Sequence, residues 1–551
     1  MRERLLTLFA NWGYCGALLL WLCWACPIMA QETSLQDNKE QKELKKKIAD
    51  KRRVAFQKMQ LATYMIDTYY VDSVDITQLA DVAIRGMLKE LDPHSTYSSP
   101  EEVELFNESM QGGFEGIGVQ FNMLDDTLFV VQPVANGPSE KVGIRPGDRI
   151  VSVENTVIAG INMPVSKITK LLKGPKGTSV NLGIVRRKTP GILSFRVTRD
   201  KIPVYSINST YMAAPKVGYI KLEQFGANSY NEFKEALKHL EKEGMESLVL
   251  DLRGNGGGYL QIATKIIDEI LPASKMIVYT QGRNQPYQEF ITHGSGRFEK
   301  GRVVVLIDSF SASASEIVSG ALQDWDRGVL VGRRSFGKGL VQRPIYMPDR
   351  SMIRLTVARY YTPSGRCIQR PYTSREEYAD DLHHRVESGE LQHADSIHFV
   401  DSLRYHTKGG RVVYGGGGIM PDVFVPADTT TEFFRQLAAH GLILETTGRF
   451  VDDKRKELKS QFVDVDSFLT HFDVYQELLP LLCKKAIEEG ITPPSKEKMS
   501  DYILLQLSAL VARDLWDMNA YYFIMNKNDS VYKEALKIIQ SDRYLTILKP
   551  N

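Results

Sequence analysis

The sequence is poor in cysteine, with five among 551 residues. Cys15, Cys23 and Cys26 lie near the N-terminus, which leaves only Cys367 and Cys483 in the rest of the chain. These two cysteines are too few for a disulfide scaffold and do not have the Cys-x-x-Cys spacing of a thiolate metal site. We therefore expect the fold to depend on hydrophobic cores rather than on cross-links.

The chain also lacks an excess of charge of either sign. Its 69 basic and 67 acidic residues leave a net charge of +2, so no global basic field would attract nucleic acid. The glycine run 256–258 lacks both the Lys-Ser/Thr ending of a phosphate loop and the spaced glycines of a dinucleotide fingerprint. We expect no cofactor. The spacing of the histidines between 372 and 408 fits no metal-ligand pattern, so we expect no metal; these are His383, His384, His393, His398 and His406.

Long apolar runs are absent except at the N-terminus. Arg2 and Arg4 precede an uncharged stretch, residues 5–31, which is typical of an export signal with a cleavage point at Ala30-Gln31. Residues 5–30 are also long enough to span a bilayer, so an uncleaved anchor is the alternative. Either interpretation predicts an exported protein of the periplasm or cell envelope, in the second case anchored to the inner membrane.

A serine-rich turn lies at the centre of the sequence. The apolar strand Val303–Asp308 leads into the small residues Ser309–Ser315 and then into a helix, Glu316–Gln323. A hydroxyl at such a turn suits a nucleophile, because the helix N-terminus offers free N–H groups to a developing oxyanion. The other interpretation is that these serines only cap the helix.

Gly337-Lys338-Gly339 follows, and Gln342 comes four residues after the lysine. A lysine can act as the base for a serine if burial keeps the amine neutral, and flanking glycines allow close backbone approach. The alternative is a solvated turn lysine.

The segments SASASEI, FGKGLVQ and the upstream DLRGNGGG together resemble the carboxyl-terminal processing peptidases, also called tail-specific proteases. The resemblance implies that Ser313 is the nucleophile, Lys338 the base and Gln342 the residue that orients the lysine. It also implies that Gly258 and Ala314 supply the N–H groups of an oxyanion hole. Asp251 and Arg253 are expected to pair structurally.

Residues 111–200 resemble a PDZ domain. The segment GIRPGDRIVSV, residues 143–153, is similar to the turn and strand of that fold, and Pro164–Leu172 is the expected groove helix. By this resemblance the peptide-binding residues are Gly116, Ile117, Gly118 and Val119. Such a domain takes a peptide as an added strand and captures its terminal carboxylate with loop N–H groups.

The predicted fold is multidomain α+β, with a crotonase- or ClpP-like ββα protease core. The predicted segments are a signal or anchor at 1–30, an N-terminal helical segment at 31–110, the PDZ domain at 111–200, the core at 201–428 with an insertion at 371–410, and a helical C-terminal domain at 429–551. Within the second segment we expect helix over Lys39–Glu90, broken at Asp92-Pro93. His94 is expected to be a surface or capping residue.

The resulting hypothesis is an exported serine endopeptidase that recognises protein C-terminal tails. Its partners would be proteins or peptides with accessible C-termini, while an adaptor protein and self-association stay open. Two other classes also stay open. A catalytically silent PDZ adaptor would not need Ser313, and a crotonase-like acyl-CoA enzyme would share the glycine-rich loop but would not need an export signal.

Overall fold

The computed structural model describes residues 42–549, except 188, 295, 373, 398–400, 428–430, 496 and 497. The predicted export signal with its three cysteines, and His398, lie outside the described residues. Among the residues that are described, no helix is both long enough and apolar enough to cross a membrane. The chain divides at Glu90 into two compact units.

Within its described residues, from 42 onwards, the first unit has two helices, α1 (residues 42–69) and α2 (Ile76–Lys89). The prediction of continuous helix over Lys39–Glu90 is therefore wrong between them. The physical reason is a new helix start at Asp75, whose carboxylate accepts the N–H groups of Thr77 and Gln78. An N-cap of this kind favours a break followed by a fresh first turn.

The second unit begins with the predicted break at Asp92-Pro93. A short strand β1 (Thr96–Ser98) leads to helix α3 (Pro100–Met110) and strand β2 (Gly113–Gly116). Ser99 caps α3 through a reciprocal pair of hydrogen bonds with Glu102, as Ser99-Pro100 predicts.

A small β-domain follows, which we call the small sheet. Its strand order is β3-β4-β5-β7-β8, with β6 beside β5, so that β3 is an edge strand. Helix α5 buries Ile168 and Leu172 against the sheet, and the groove helix predicted over Pro164–Leu172 is confirmed to within one residue. The sequence also predicts strands over Ser179–Val185 and Ile192–Thr198, which are confirmed to the same accuracy. The elements are β3 (Val119–Leu124), β4 (Thr127–Pro133), α4 (Pro138–Lys141), β5 (Arg149–Val153), β6 (Thr156–Val157), α5 (Val165–Leu172), β7 (Ser179–Val185) and β8 (Leu193–Thr198). Strand β9 (Asp200–Pro203) then returns to pair with β2.

The largest core surrounds a six-stranded sheet, the core sheet, in the order β10-β11-β12-β15-β16-β21, where β21 is Val423–Phe424. All neighbours are parallel except β10 and β11. Helices α6, α7 and α8 bury one face, which explains the almost continuous apolar strands. The elements of this part of the chain, of which β13 and β14 belong to a second sheet, are β10 (Ile207–Ala214), β11 (Val217–Leu222), α6 (Ser229–Lys242), β12 (Ser247–Asp251), α7 (Leu260–Asp268), β13 (Met276–Gln281), β14 (Gln288–Ile291), β15 (Arg302–Ile307), α8 (Ala314–Asp324) and β16 (Val329–Gly332).

A second, antiparallel sheet has the order β1-β18-β13-β14, with β17 (Leu340–Tyr346) on β18 (Met352–Tyr361). Apolar alternation in the sequence predicts a strand over Met352–Arg359 and a turn from Tyr360, but β18 is longer, because Tyr360 and Tyr361 pair with β13. This sheet carries Gln342 towards the start of α8.

The polar insertion 371–410 is built into the core. Arg385 donates to the carbonyl of Ser335, and Arg334 forms a bidentate ion pair with Glu390. Its elements and the strands after it are α9 (Arg375–Ala379), α10 (Asp381–Glu387), the 3-10 turns Ala394–Ser396 and Asp401–Leu403, β19 (Arg404–His406), β20 (Val412–Tyr414) and β21 (Val423–Phe424).

The C-terminal region is helical as predicted, but its helices divide into two groups. Helices α11 to α17 share a core of their own, whereas α18 covers the second face of the core sheet. They are α11 (Glu432–Ala439), α12 (Leu442–Gln461), α13 (Val465–His471), α14 (Val474–Glu477), α15 (Leu479–Glu488), α16 (Asp501–Leu515), α17 (Met518–Asn526), α18 (Ser530–Ile539) and α19 (Arg543–Ile547).

The breaks between these helices can be compared with the sequence. The sequence predicts a helix over Val474–Glu489 that Pro480 kinks or splits, and the split is confirmed, because α14 and α15 are separate helices with Pro480 in the first turn of α15. The sequence also predicts one helix over Lys496–Ala520. That prediction is wrong, because α16 ends at Leu515 and Asp517 caps a new helix by accepting the N–H of Ala520. Helix α12 lies within the region predicted to be helical, although its second half is mostly charged and gives no apolar periodicity that would fix its bounds.

Candidate active site

Ser313 lies where β15 turns into α8, at the N-cap position of the helix. Its φ of 56° is in the left-handed region, which is strained for a residue other than glycine. The neighbouring serines hold the turn in place: Ser311 Oγ donates to the carbonyl of Leu252, and Ser315 Oγ donates to the carbonyl of Asn255, each over 2.8 Å. The serine-rich turn is thus fastened to the glycine loop, which we define as residues 253–258.

Glu316, which sequence reasoning missed, is fully buried beneath this turn. Its carboxylate accepts four hydrogen bonds, from the N–H groups of Ser313, Gly337 and Lys338 and from the hydroxyl of Ser335. Burial raises the pKa of Glu316, although the four donors oppose that shift. One carboxylate therefore fixes the backbones of both the serine and the lysine. A capping-box pattern, glutamate three residues after a serine, was the available signal.

Lys338 reaches the same place from the loop before β17. Its Nζ donates to Gln342 Oε1 over 3.0 Å, and no carboxylate of the described residues lies within 4.0 Å. Burial lowers the pKa of Lys338, and the charge of Arg354 lowers it further, against weaker opposition from Glu316 and Asp92. The neutral amine is therefore easier to form here than on a solvated lysine.

Gln342 lies on β17 beside an irregularity in its pairing with β18. Its Nε2 donates to the backbone carbonyl of His94. Because Nε2 is engaged there, Oε1 is the atom left to accept from Lys338. The segment around His94 thus orients the amide.

His94 differs from the expected surface residue, because the insertion covers its ring. The His94 Nε2 lies 2.7 Å from the hydroxyl of Tyr378, and Phe336 contacts the ring edge-on. Burial, and then the charge of Lys338, lowers the pKa of His94 to about 4. The imidazole is consequently neutral at physiological pH. The sequence could not place Tyr378, which is 284 residues away.

The glycine loop packs directly on the start of α8. Phe225 N donates to the carbonyl of Gly257, and Tyr259 N donates to the carbonyl of Phe225, so the N–H of Gly258 points away from Phe225. A Cβ on Gly257 would lie 2.9 Å from Ser313 Cβ and 3.0 Å from Ala314 N, which only glycine avoids. Among the described residues, the N–H groups of Gly258 and Ala314 have no acceptor.

The predicted pairing of Asp251 with Arg253 is confirmed. Arg253 makes hydrogen bonds to both oxygens of Asp251, and a further one to Asp529 at the start of α18. The hydroxyl of Tyr219 also donates to Asp251. Arg253 and Asp251 thereby anchor the first residues of the glycine loop.

These groups surround one cavity of about 720 Å³. Its wall includes Gly258, Ser313, Ala314, Lys338 and Gln342, all five core residues predicted from the sequence. Within the residues that the structure describes, no cluster of three or more histidine, cysteine or acidic residues could hold a metal ion.

Several parts of the chain match models of known protein families. Residues 216–375 match the model of peptidase family S41, residues 129–186 match a PDZ domain, and residues 16–102 match the activating protease CtpB N-terminal domain. The chain is 36% identical over 309 residues to a carboxy-terminal-processing protease of Bartonella bacilliformis, covering 55% of this chain and 70% of that protein. It belongs to the carboxyl-terminal processing peptidase family.

Other similar proteins match a comparable share of this chain. Carboxy-terminal processing protease CtpB of Bacillus subtilis is 37% identical over 324 residues, which is 57% of this chain and 66% of the relative. Among solved structures, a photosystem II D1 C-terminal processing protease is 28% identical, covers 56% of this chain and 89% of its own, and has a TM-score of 0.32. The matched part thus spans about two thirds of the curated relatives.

Family membership makes the chain a serine-type peptidase and excludes the acyl-CoA interpretation. The α+β fold with N-terminal helices, a PDZ domain, an S41 core and a helical C-terminal region is likewise confirmed. Residues 433–517 match a family of unknown function (DUF8443).

The predicted peptide-binding segment of this peptidase lies at the edge of the small sheet. Gly116 is not in a loop but ends β2, where it pairs with Asp200. Ile117 and Gly118 form the turn into β3, and their carbonyls accept from Ser139 and Val134. The N–H groups of Ile117 and Gly118 have no acceptor among the described residues, and Val119 begins the edge strand.

Proposed function

We propose that this peptidase hydrolyses peptide bonds with Ser313 as nucleophile and Lys338 as general base. The observation that carries the proposal is the environment of Lys338. Its amine is largely buried, is held by Gln342, faces no carboxylate among the described residues, and lines one cavity with Ser313. A lysine in this setting can be neutral near physiological pH and can accept a proton.

In the proposed mechanism, Lys338 Nζ takes the proton of Ser313 Oγ as the oxygen bonds to the scissile carbonyl carbon. The carbonyl oxygen becomes an oxyanion between the N–H groups of Gly258 and Ala314, the two donors without an internal acceptor. The lysine ammonium then protonates the leaving amine as the C–N bond breaks. A water molecule then attacks the acyl-enzyme while Lys338 Nζ takes its proton. The lysine ammonium returns that proton to Ser313 Oγ as the ester bond breaks, which releases the new C-terminus.

The PDZ domain would recognise the tail of the substrate. The free edge of β3 suits an added strand, and the unused N–H groups of Ile117 and Gly118 suit a terminal carboxylate. The proposed location is outside the cytoplasm, on the strength of residues 1–31. An adaptor that delivers substrates, anchoring through residues 5–30 and self-association stay hypotheses.

The test uses residues 31–551 as wild type, Ser313→Ala and Lys338→Ala. Each protein is incubated with an unstructured protein, and the products are identified by mass spectrometry. We expect cleavage by wild type alone. Cleavage that survives Lys338→Ala contradicts the mechanism, whereas tail binding without cleavage in wild type supports the adaptor interpretation.

A further inference from the structure

The wall of the active-site cavity carries positive charge and no carboxylate. Lys338, Arg343 and Arg354 line it, and none of the other lining residues is aspartate or glutamate. Lys338 is accounted for by the proposed chemistry, and Arg343 is an exposed residue of β17. Arg354, on the central strand β18, takes no part in the proton transfers and acts on them only through its charge, which lowers the pKa of Lys338.

Arg354 is half-buried without an ionic partner. Among the described residues no carboxylate lies within 4.0 Å of it, and its buried Nε has no hydrogen-bond acceptor. Its contacts are weak ones: a 3.4 Å hydrogen bond from Nη2 to Thr96 Oγ1, and the ring of Phe106, whose centroid lies 4.9 Å from Cζ. Burial lowers the pKa of Arg354, and no neighbouring carboxylate counters that shift.

The fully buried arginines of the core are paired, and the part-buried Arg327 donates to three backbone carbonyls. Arg366 contacts Asp324, Arg385 contacts Asp381, and Arg411 contacts both Asp326 and Asp422. A buried charge without a partner is strongly unfavourable, so charged groups removed from water are normally paired. An unpaired guanidinium that lines a cavity therefore indicates that its partner arrives with a ligand. The planar fork of arginine fits a carboxylate, which it binds through two hydrogen bonds.

The strand register fixes where such a ligand would lie. Thr356 pairs with Gln342 across β17 and β18, and Arg354 lies two residues before Thr356 on the same face of the sheet. Two residues of strand correspond to about 7 Å. An extended substrate in the cavity would therefore cover the distance between Arg354 and the Gln342–Lys338 pair with about two residues or fewer. Asp92, the acidic group that contacts Thr356, is saturated by donors from His94, Ser95 and Thr356.

We propose that Arg354 forms a carboxylate-binding subsite beside the scissile bond. The subsite selects substrates that place an acidic side chain, or their own C-terminal carboxylate, within two residues of the cut. This inference rests on the proposed peptidase function, but it concerns a residue outside the catalytic group. It is also separate from the PDZ segment 116–119, which lies at the edge of the small sheet.

The experiment uses fluorogenic peptides in which a glutamate is moved through the positions flanking the cut and compared with glutamine at each position. One series has amidated C-termini and the other has free C-termini, which separates side-chain recognition from terminal recognition. For wild type, kcat/KM should be about 10- to 100-fold higher with the carboxylate at one position, as expected for a charge-assisted hydrogen bond. In Arg354→Gln the preference should fall to about twofold or less, while the glutamine peptide is still cut. Arg343→Gln, in the same wall but exposed, is the matched control and should retain the preference.

A binding measurement keeps the inference testable if nothing is cut. Fluorescence anisotropy with Ser313→Ala and with Ser313→Ala/Arg354→Gln compares the affinities of the amidated glutamate and glutamine peptides. Preference for glutamate that depends on Arg354 supports the subsite even when the proposed hydrolysis fails. If Arg354→Gln weakens the binding of both peptides equally, or leaves the preference for glutamate unchanged, the proposal is overturned and Arg354 has a structural role.

Discussion

At the scale of single residues, the candidate site is held by polar groups that do not react in the proposed mechanism. Glu316 links the N–H groups of Ser313 and Lys338, and the carbonyl of His94 holds Gln342. Each of these hydrogen bonds pairs a buried polar group that would otherwise have no partner. The positions of the proposed nucleophile and base therefore depend on two residues that need not contact substrate.

Gln342→Glu should move the pH dependence of cleavage. A carboxylate at the position of Oε1, 3.0 Å from Lys338 Nζ, favours the ammonium and so raises the pKa of the lysine. Because neutral Lys338 is the proposed base, kcat/KM increases as the pH rises through that pKa. We expect the acidic limb of the kcat/KM profile to shift by about one pH unit or more to higher pH, with activity at pH 7 reduced at least about tenfold.

Gln342→Met is the matched control for this change. It removes the hydrogen bond to Lys338 without adding charge, so activity should fall without an alkaline shift of the limb. An unshifted limb in Gln342→Glu would mean that another group titrates.

His94 should make the fold sensitive to acid. Its pKa is about 4 in the folded protein and about 6.5 in an unfolded chain, so the unfolded chain takes up the proton first as the pH falls. The part of the free energy of unfolding that is linked to neutral His94 is fully present above pH 6.5 and is lost as the pH falls from about 6.5 to 4. His94→Gln keeps the backbone carbonyl that holds Gln342 but removes the titrating ring. Between pH 6.5 and 4 its free energy of unfolding should therefore fall by of the order of 2–3 kcal/mol less than that of wild type. Urea unfolding at several pH values measures this, and parallel curves for the two proteins would contradict it.

At the scale of elements, sequence periodicity predicted the regular parts of the core and missed what long-range contacts decide. Strands β12 and β15 are short apolar runs, and Ser313 and Lys338 lie among small residues that identify tight backbone. Gln342 was found only through the family resemblance. The covering of His94 by Tyr378 left no local signal, because the two residues meet only after the insertion folds onto the core.

The start of α18 connects the C-terminal helices with the glycine loop. Asp529 Oδ1 accepts the N–H of Tyr532 and so caps the helix, while Oδ2 pairs with Arg253. These two roles can be separated by substitution. Asp529→Asn keeps a good N-cap and loses the ion pair, whereas Asp529→Ala loses both.

We expect Asp529→Asn to reduce kcat with a small change in melting temperature, because Arg253 anchors the loop that carries Gly258. Asp529→Ala should destabilise the protein by about 1 kcal/mol more, the usual value of an N-cap. Thermal unfolding and kcat, measured on both variants, test this. If Asp529→Asn retains full activity, the ion pair with Arg253 does not position the loop.

At the scale of the whole molecule, the second face of the core sheet is covered by the last helices of the chain. Helices α18 and α19 bury six side chains against or beside that face, namely Val531, Tyr532, Ala535, Ile538, Ile539 and Tyr544. The hydroxyl of Tyr544 accepts the N–H of Val303 in β15 and donates to the carbonyl of Arg327. The strand that leads to Ser313 is thus supported from behind by a segment more than 200 residues later.

Ending the chain after Lys527 should therefore prevent the core from folding, although every residue of the candidate site is still present. Burying a large apolar side chain contributes about 1.5–3 kcal/mol, so the five large side chains among these six account for about 8–15 kcal/mol, comparable to the whole stability of a domain. We expect this truncation to be insoluble or to lack a cooperative unfolding transition, while a chain that ends after Leu548 stays folded and active. Circular dichroism and cleavage assays on both distinguish the outcomes. A folded, active protein ending at Lys527 would mean that the core sheet is stable with that face exposed, which is unexpected for strands as apolar as Val303–Ile307 on both faces.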